Sequence, residues 1–298
     1  MTSESVSIEM TKRKNDIYRA SYTAGARRRR KSRNFTAMIA VLLCVGVVFF
    51  IIRMQARRSE TPEAGITSMV KHYHDLESVN GAPENSTEKD YEGFRLSFNP
   101  VNKTPDWVGW ELLATEVDGN VTRSNKFHTD YEVEGCPDTR DYTRSGYDRG
   151  HLCPAADQKW SSQAMSDCFY MTNMAPQKKE LNTGAWKTLE EKERIWARRD
   201  SALVIVAGPI YTGQTDKRIG DAGVRVPDAF YKCILAPYAN PPRAIAFVYD
   251  NARCPGNMAN YVTTVDQVEA ITGLDFFYNL PDEIENEVER HSEFKKWQ

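Results

Sequence analysis

The chain has 298 residues, 41% of them hydrophobic and 27% charged, with a formal net charge of −2. This is ordinary globular composition, with room for one large domain or two small ones. Residues 1–58 hold 13 of the 39 basic and 3 of the 41 acidic side chains, so residues 59–298 hold 26 against 38, a net of −12. An excess of that sign argues against a tight, sequence-independent clamp on a polyanion.

Residues 1–34 contain few large apolar side chains and a basic run, Arg27 to Arg30 with Lys31 and Arg33. They are expected to form a disordered tail. Residues 35–52 carry no charge at all. As a helix this stretch is about 27 Å long, just enough for a bilayer. An uncleaved transmembrane helix is the expectation, with a buried core helix and a cleaved signal as the alternatives. Basic residues crowd its N-terminal side, so the tail should be cytoplasmic and everything beyond should face outward. Residues 53–69 read as a linker, and 70–298 as one domain.

Within the domain, 78–89 is polar and turn-rich and reads as a surface loop. Residues 93–98 and 107–113 alternate like strands, and 115–140 is polar with several turn signals. Residues 159–167 suit a short helix or loop. The run 168–172 reads as a strand that ends at Asn173 and a break at Pro176. A strong helix is expected over 183–199, then a buried strand over 201–207. Residues 229–235 and 244–249 look like antiparallel neighbours across Pro241-Pro242. A helix over 265–272 should stop at Gly273. Strands and helices do not alternate strictly, so the class is α+β.

Chemistry concentrates in Asp148-Arg149-Gly150-His151. Histidine is the usual general base near neutral pH, Gly150 permits close backbone approach, and Arg149 suits phosphate oxygens. One histidine in a tetrapeptide is, alone, an ordinary turn or core residue. Two further segments accompany it: Asn173-Met174-Ala175-Pro176-Gln177, and Leu181-Asn182-Thr183-Gly184-Ala185-Trp186 with Leu189-Glu190 and Arg194 beyond.

Together these resemble the DNA/RNA non-specific endonucleases, the ββα-metal family, over residues 91–281. Residues 206–210, 226–232 and 272–277 are also similar to the family and read as scaffold. The resemblance implies a ββα-metal nuclease fold with a central antiparallel sheet flanked by helices. It implies metal-assisted hydrolysis of DNA and RNA phosphodiesters, with Mg²⁺ as cofactor and Mn²⁺ as its substitute. His151 would be the general base, Asn182 the direct metal ligand, and Glu190 the holder of a water in the metal's shell. Arg149 and Arg194 would neutralise phosphate charge, Asp148 would lie with them at the substrate, and Asn173 would position the site by hydrogen bonds. The alternative is a membrane-tethered nucleic-acid-binding or receptor module without catalysis. A monomer and a homodimer are both compatible with the sequence.

The helix can be examined on its own geometry. At about 100° per residue, Ala185, Trp186, Leu189 and Trp196 share an inward arc, while Glu190 and Arg194 lie about 80° and 120° round from Asn182. The plainer reading of those two is an exposed i,i+4 salt bridge. Arg140, Arg144, Lys178, Lys179, Lys187, Arg194, Arg198 and Arg199 are candidates for a local basic patch, against a reading as ordinary solvated charges. Five cysteines follow the uncharged segment, and none forms a C-x-x-C pair. Cys153 and Cys168 would pair as a disulfide if their strands were neighbours. Sequons stand at Asn85, Asn102 and Asn120.

Overall fold

The computed structural model describes residues 75–213 and 215–298. The expected tail, transmembrane helix and linker lie outside these residues. Among the described residues no helix is long and apolar enough to cross a membrane.

The strands in chain order are β1 (Thr87–Tyr91), β2 (Phe94–Asn99), β3 (Thr104–Leu113), β4 (Asp148–His151), β5 (Met174–Gln177), β6 (Ala202–Ile210), β7 (Arg218–Ile219), β8 (Val224–Arg225), β9 (Ala229–Ala236), β10 (Arg243–Asp250) and β11 (Val262–Thr263). Among the described residues the α-helices are α1 (Ser162–Asp167), α2 (Lys187–Asp200), α3 (Val265–Thr272) and α4 (Asp282–Arg290). Seven strands form one antiparallel sheet in the order β1-β2-β3-β6-β9-β10-β11. Strands β4 and β5 make a separate antiparallel ribbon. The α+β expectation with a central antiparallel sheet therefore holds.

Layering explains the sequence pattern. Every residue of β6 and β9 is buried, because helices cover both faces of the sheet. Side chains alternate along β9. On one face Phe230 meets Trp186 and Lys232 meets Glu193 of α2; on the other Tyr231 meets Phe276, which follows α3. Trp196 of α2 stacks on Phe247 of β10 and meets Trp297 edge-on. Each such fully buried large side chain contributes about 1.5–3 kcal/mol by leaving water. Helix α3 begins with a capping box between Thr264 and Gln267 and ends at Gly273 in the left-handed region, φ 73°.

The sequence reading needs four corrections here. Residues 78–89 are not all loop: Thr87–Tyr91 pairs with β2 as the outer strand of the sheet. Its other side has no partner among the described residues and only Tyr91 is buried, so it carries charge where an inner strand carries apolar side chains. Residues 168–172 are not a strand. The chain leaves α1 at Cys168, makes a 3-10 turn over Met171–Asn173, and only then becomes extended as β5. A run buried on all sides has no period that separates strand from turn. Pro176 does not break that strand; it sits opposite Arg149 in a two-stranded ribbon, where a missing N–H is tolerated.

The fourth correction concerns the expected helix over 183–199. The α-helix begins only at Lys187, after a π-helical turn over Leu181–Trp186 in which Gly184 is non-helical, φ −107° and ψ −111°. The widened turn inserts one residue, which rotates everything before it by about 100°. The angles computed from Asn182 for an ideal helix therefore do not apply.

Candidate active site

The ribbon and the helix behind it form one β-β-α unit. Asn173 fastens the ribbon. Its Oδ1 accepts from the Cys153 N–H at 2.9 Å, and its Nδ2 donates to the carbonyls of Cys153 and Cys168, both at 2.9 Å. Those three bonds use the amide fully and fix the chain leaving β4 against the chain entering β5. Gly150 is required by the same packing: a Cβ there would lie 2.6 Å from Gln177, which is buried. Cys153 and Cys168 are drawn to the same amide, but both are free thiols, as are Cys136, Cys233 and Cys254. The expected disulfide is not formed.

Two contacts lock the helix to β4. The Trp186 indole N–H donates to the His151 carbonyl at 3.2 Å, and Asn182 Nδ2 donates to Asp148 Oδ2 at 3.0 Å. The second contact sets the chemistry of Asn182. With the amide nitrogen taken by a carboxylate, Oδ1 is the free end, and it is a hard oxygen donor of the type that Mg²⁺ and related ions accept. Asp148, expected at the substrate, holds this amide.

His151 is buried between Phe127 and Phe169, with ring centroids 5.5 and 4.9 Å away. Its Nε2 has no hydrogen-bond partner. Burial first, and the charge of Arg123 second, push its pKa down to about 3. The imidazole is therefore neutral at any ordinary pH and able to accept a proton. Arg149 is partly committed to structure: one guanidinium nitrogen donates to the Thr139 carbonyl at 2.6 Å, and its Cζ lies 5.2 Å from the Phe127 ring centroid.

Glu190 and Arg194 do not pair with one another. Arg194 binds Asp157 at 2.9 Å; Asp157 is fully buried and also accepts from the Trp110 indole at 3.2 Å. Beside them Lys232 and Glu193 form a 2.9 Å ion pair without exposure, and the Lys232 ammonium lies 4.7 Å from the Trp186 ring centroid. Burial raises the Glu190 pKa to about 7; Lys232 opposes the shift, and Glu193 and Asp157 add to it.

Asp157, Glu193 and Lys232 were missed in the sequence. Lys232 had a visible signal, a single charge inside the otherwise apolar run of β9, which demands a buried partner. Asp157 had none.

Most of the expected basic patch is paired with carboxylates. Arg140 pairs with Asp138, Lys187 with Glu191, Arg198 with Asp118 and Arg199 with Asp200, in addition to Arg194 with Asp157. Lys178 and Lys217 instead flank the Tyr147 ring, at 4.3 and 5.0 Å from its centroid.

An antiparallel sheet carries a β-β-α unit, with a buried histidine on the ribbon and a held amide at the helix entrance, an arrangement of the ββα type. The comparisons agree with that class. The sequence pattern of the DNA/RNA non-specific endonucleases matches residues 76–283, and the chain belongs to that family. It is 35% identical over 215 residues to the mitochondrial nuclease EXOG of Danio rerio, covering 66% of this chain and 63% of that protein. It is 35% identical over 216 residues to the mitochondrial nuclease of Saccharomyces cerevisiae, covering 64% and 65%. Against the mitochondrial endonuclease G of Bos taurus it is 30% identical over 215 residues, covering 67% and 72%. The chain thus spans just under two thirds of the length of the first two of these relatives. A solved structure of endonuclease G in complex with its inhibitor superposes with a TM-score of 0.64 at 28% identity, covering 75% of this chain and 95% of that one.

Proposed function

We propose that this chain is a sugar-non-specific endonuclease that hydrolyses phosphodiester bonds in DNA and RNA with a bound divalent cation, Mg²⁺ or in its place Mn²⁺. The observation that carries this reading is the Asn182 amide, whose nitrogen is held by Asp148 so that its oxygen is left to a hard cation. The cation, when bound there, supplies positive charge to the phosphate and the departing 3′ oxygen.

The chain's own residues do the rest. His151, neutral and sealed against Phe127 and Phe169, takes the proton of the attacking water. Arg149 and Arg194 supply fixed positive charge to the phosphate. Arg194 is aimed by Asp157, so its position does not depend on substrate. Glu190, as the carboxylate, accepts hydrogen bonds from waters around the cation.

The acidic excess of the chain is consistent with weak general attraction for nucleic acid, with recognition left to the catalytic groups. A plasmid and a structured RNA, each incubated with the full chain with and without EDTA, test the activity. Cleavage of both that is lost with EDTA and restored by Mg²⁺ or Mn²⁺ is the expected result; no cleavage under any metal would sink the reading.

We also propose that residues 35–52 anchor the protein in a membrane, with the N-terminus cytoplasmic and the nuclease domain outside. The support is the uncharged run and the basic residues on its N-terminal side. Protease added to cells with opened outer barriers should digest the domain. A domain protected until the anchoring membrane is lysed overturns the orientation, and a soluble domain starting near residue 53 identifies a cleaved signal instead.

A further inference from the structure

We propose that Asp266, Glu269 and Glu289 form a second divalent-cation site, fitted to Ca²⁺, which joins α3 to α4 on the sheet face opposite α2. Asp266 and Glu269 lie within the stretch that matches the family, whereas Glu289 lies on α4 beyond its end at residue 283, so the three are complete only with a residue outside that match.

The geometry suits the ion. One side-chain oxygen from each residue lies within 4.8 Å of the other two. Ca²⁺ holds about six to eight oxygens at about 2.3–2.6 Å in flexible geometry, so three carboxylates gathered this closely can share one such ion with waters completing its shell. Mg²⁺ demands near-ideal octahedral geometry at about 2.0–2.1 Å and gives up its waters reluctantly, so it suits a site made of three carboxylates less well. Asp266 is exposed and Glu269 half-buried, so one side of the site is open for water ligands.

Glu289 supplies the independent reason for a ligand. It is 5% exposed, and its Oε1 is buried with no hydrogen-bond partner. A carboxylate oxygen removed from water needs a donor or a cation. The largest charge effects on Glu289 come from Glu269, Glu285, Asp266 and Asp275, all acidic. Two of the like-charge contacts are built into the helices themselves: Glu285 with Glu289 at i,i+4, and Asp266 with Glu269 at i,i+3. Glu289 is also the next-to-last residue of α4, at the end where the helix dipole disfavours an anion. A bound Ca²⁺ answers all of these at once.

The consequence is structural. Asp266 and Glu269 belong to α3 and Glu289 to α4, and Glu269 also accepts from the Phe276 N–H at 2.9 Å. One ion would therefore tie α3, the turn after it and α4 together.

The test uses the full chain bearing Asn182→Ala, so that metal binding at the catalytic amide does not confuse the signal. Calorimetry with CaCl2 at pH 7.5 should give one bound ion per chain, and the melting temperature should rise with Ca²⁺ more than with Mg²⁺. Glu289→Gln and, separately, the exposed Asp266→Asn should each lower Ca²⁺ affinity at least tenfold and remove the melting shift. In the otherwise unaltered chain neither substitution should change nuclease activity at saturating Mg²⁺. Absence of Ca²⁺ binding to the Asn182→Ala chain, or binding that survives both substitutions, overturns the proposal. Should Glu289→Gln fail to fold, Asp266→Asn alone decides it. The nuclease reading stands or falls separately, on the EDTA assay.

Discussion

Asn182 Nδ2 donates to Asp148 Oδ2 at 3.0 Å, tying the π-helical turn to the first residue of the histidine-bearing strand. A flipped amide would set its oxygen against a carboxylate, so Asp148 fixes which end of Asn182 is left to a cation in the proposed site. Asp148→Ala should therefore weaken metal affinity about 10- to 100-fold, the usual cost of removing the partner that orients a ligand. Activity titrated against Mg²⁺ reads this directly. An unchanged metal dependence in a folded Asp148→Ala protein would show that Asn182 is not the ligand, or needs no orientation.

His151→Ala should lower turnover by about 10²–10⁴ while leaving nucleic-acid binding nearly unchanged, because a positioned proton acceptor is lost and little contact area goes with it. Single-turnover cleavage beside an equilibrium binding assay separates the two. Near-normal turnover in a folded protein would remove His151 from the mechanism.

The acid limb of the pH profile should belong to Glu190. Its pKa is raised to about 7, so the carboxylate is lost as pH falls through 7, and kcat/KM should fall with it. His151, neutral down to about 3, adds no limb above that value. The residual activity of Glu190→Gln should lack the limb near 7. The sign for stability is the reverse of the usual carboxylate case. The folded state binds this proton more tightly than the unfolded one, so the group's contribution is fully present below its ordinary value near 4.5. It is lost as pH rises toward 7.

Lys232 and Glu193 should behave as a unit. Lys232→Met leaves a buried, unpaired carboxylate and should cost about 3–5 kcal/mol, whereas adding Glu193→Gln should restore a large part of that loss. Urea unfolding of the two single variants and the double gives the coupling. Additive losses would mean the pair does not interact as its 2.9 Å contact requires.

Much of this protein could be read from its residues in order. Inner strands announced themselves as apolar runs, α3 by its Gly273 stop, and the site by three short motifs in series. These features are local, and local periodicity and turn chemistry encode them. What the tertiary structure decided is which groups meet. Arg194 and Glu190 stand four apart on α2, yet Arg194 turns to Asp157, thirty-seven residues away, because a fully buried carboxylate needs a charged partner. Asn182 faces Asp148 because Gly184 widens one helical turn, a departure that an ideal 100° step cannot contain. Pro176 lies in a strand because the ribbon leaves its nitrogen side free of the main sheet. Periodicity says which face of an element is buried; only the packed chain says what lies across from it.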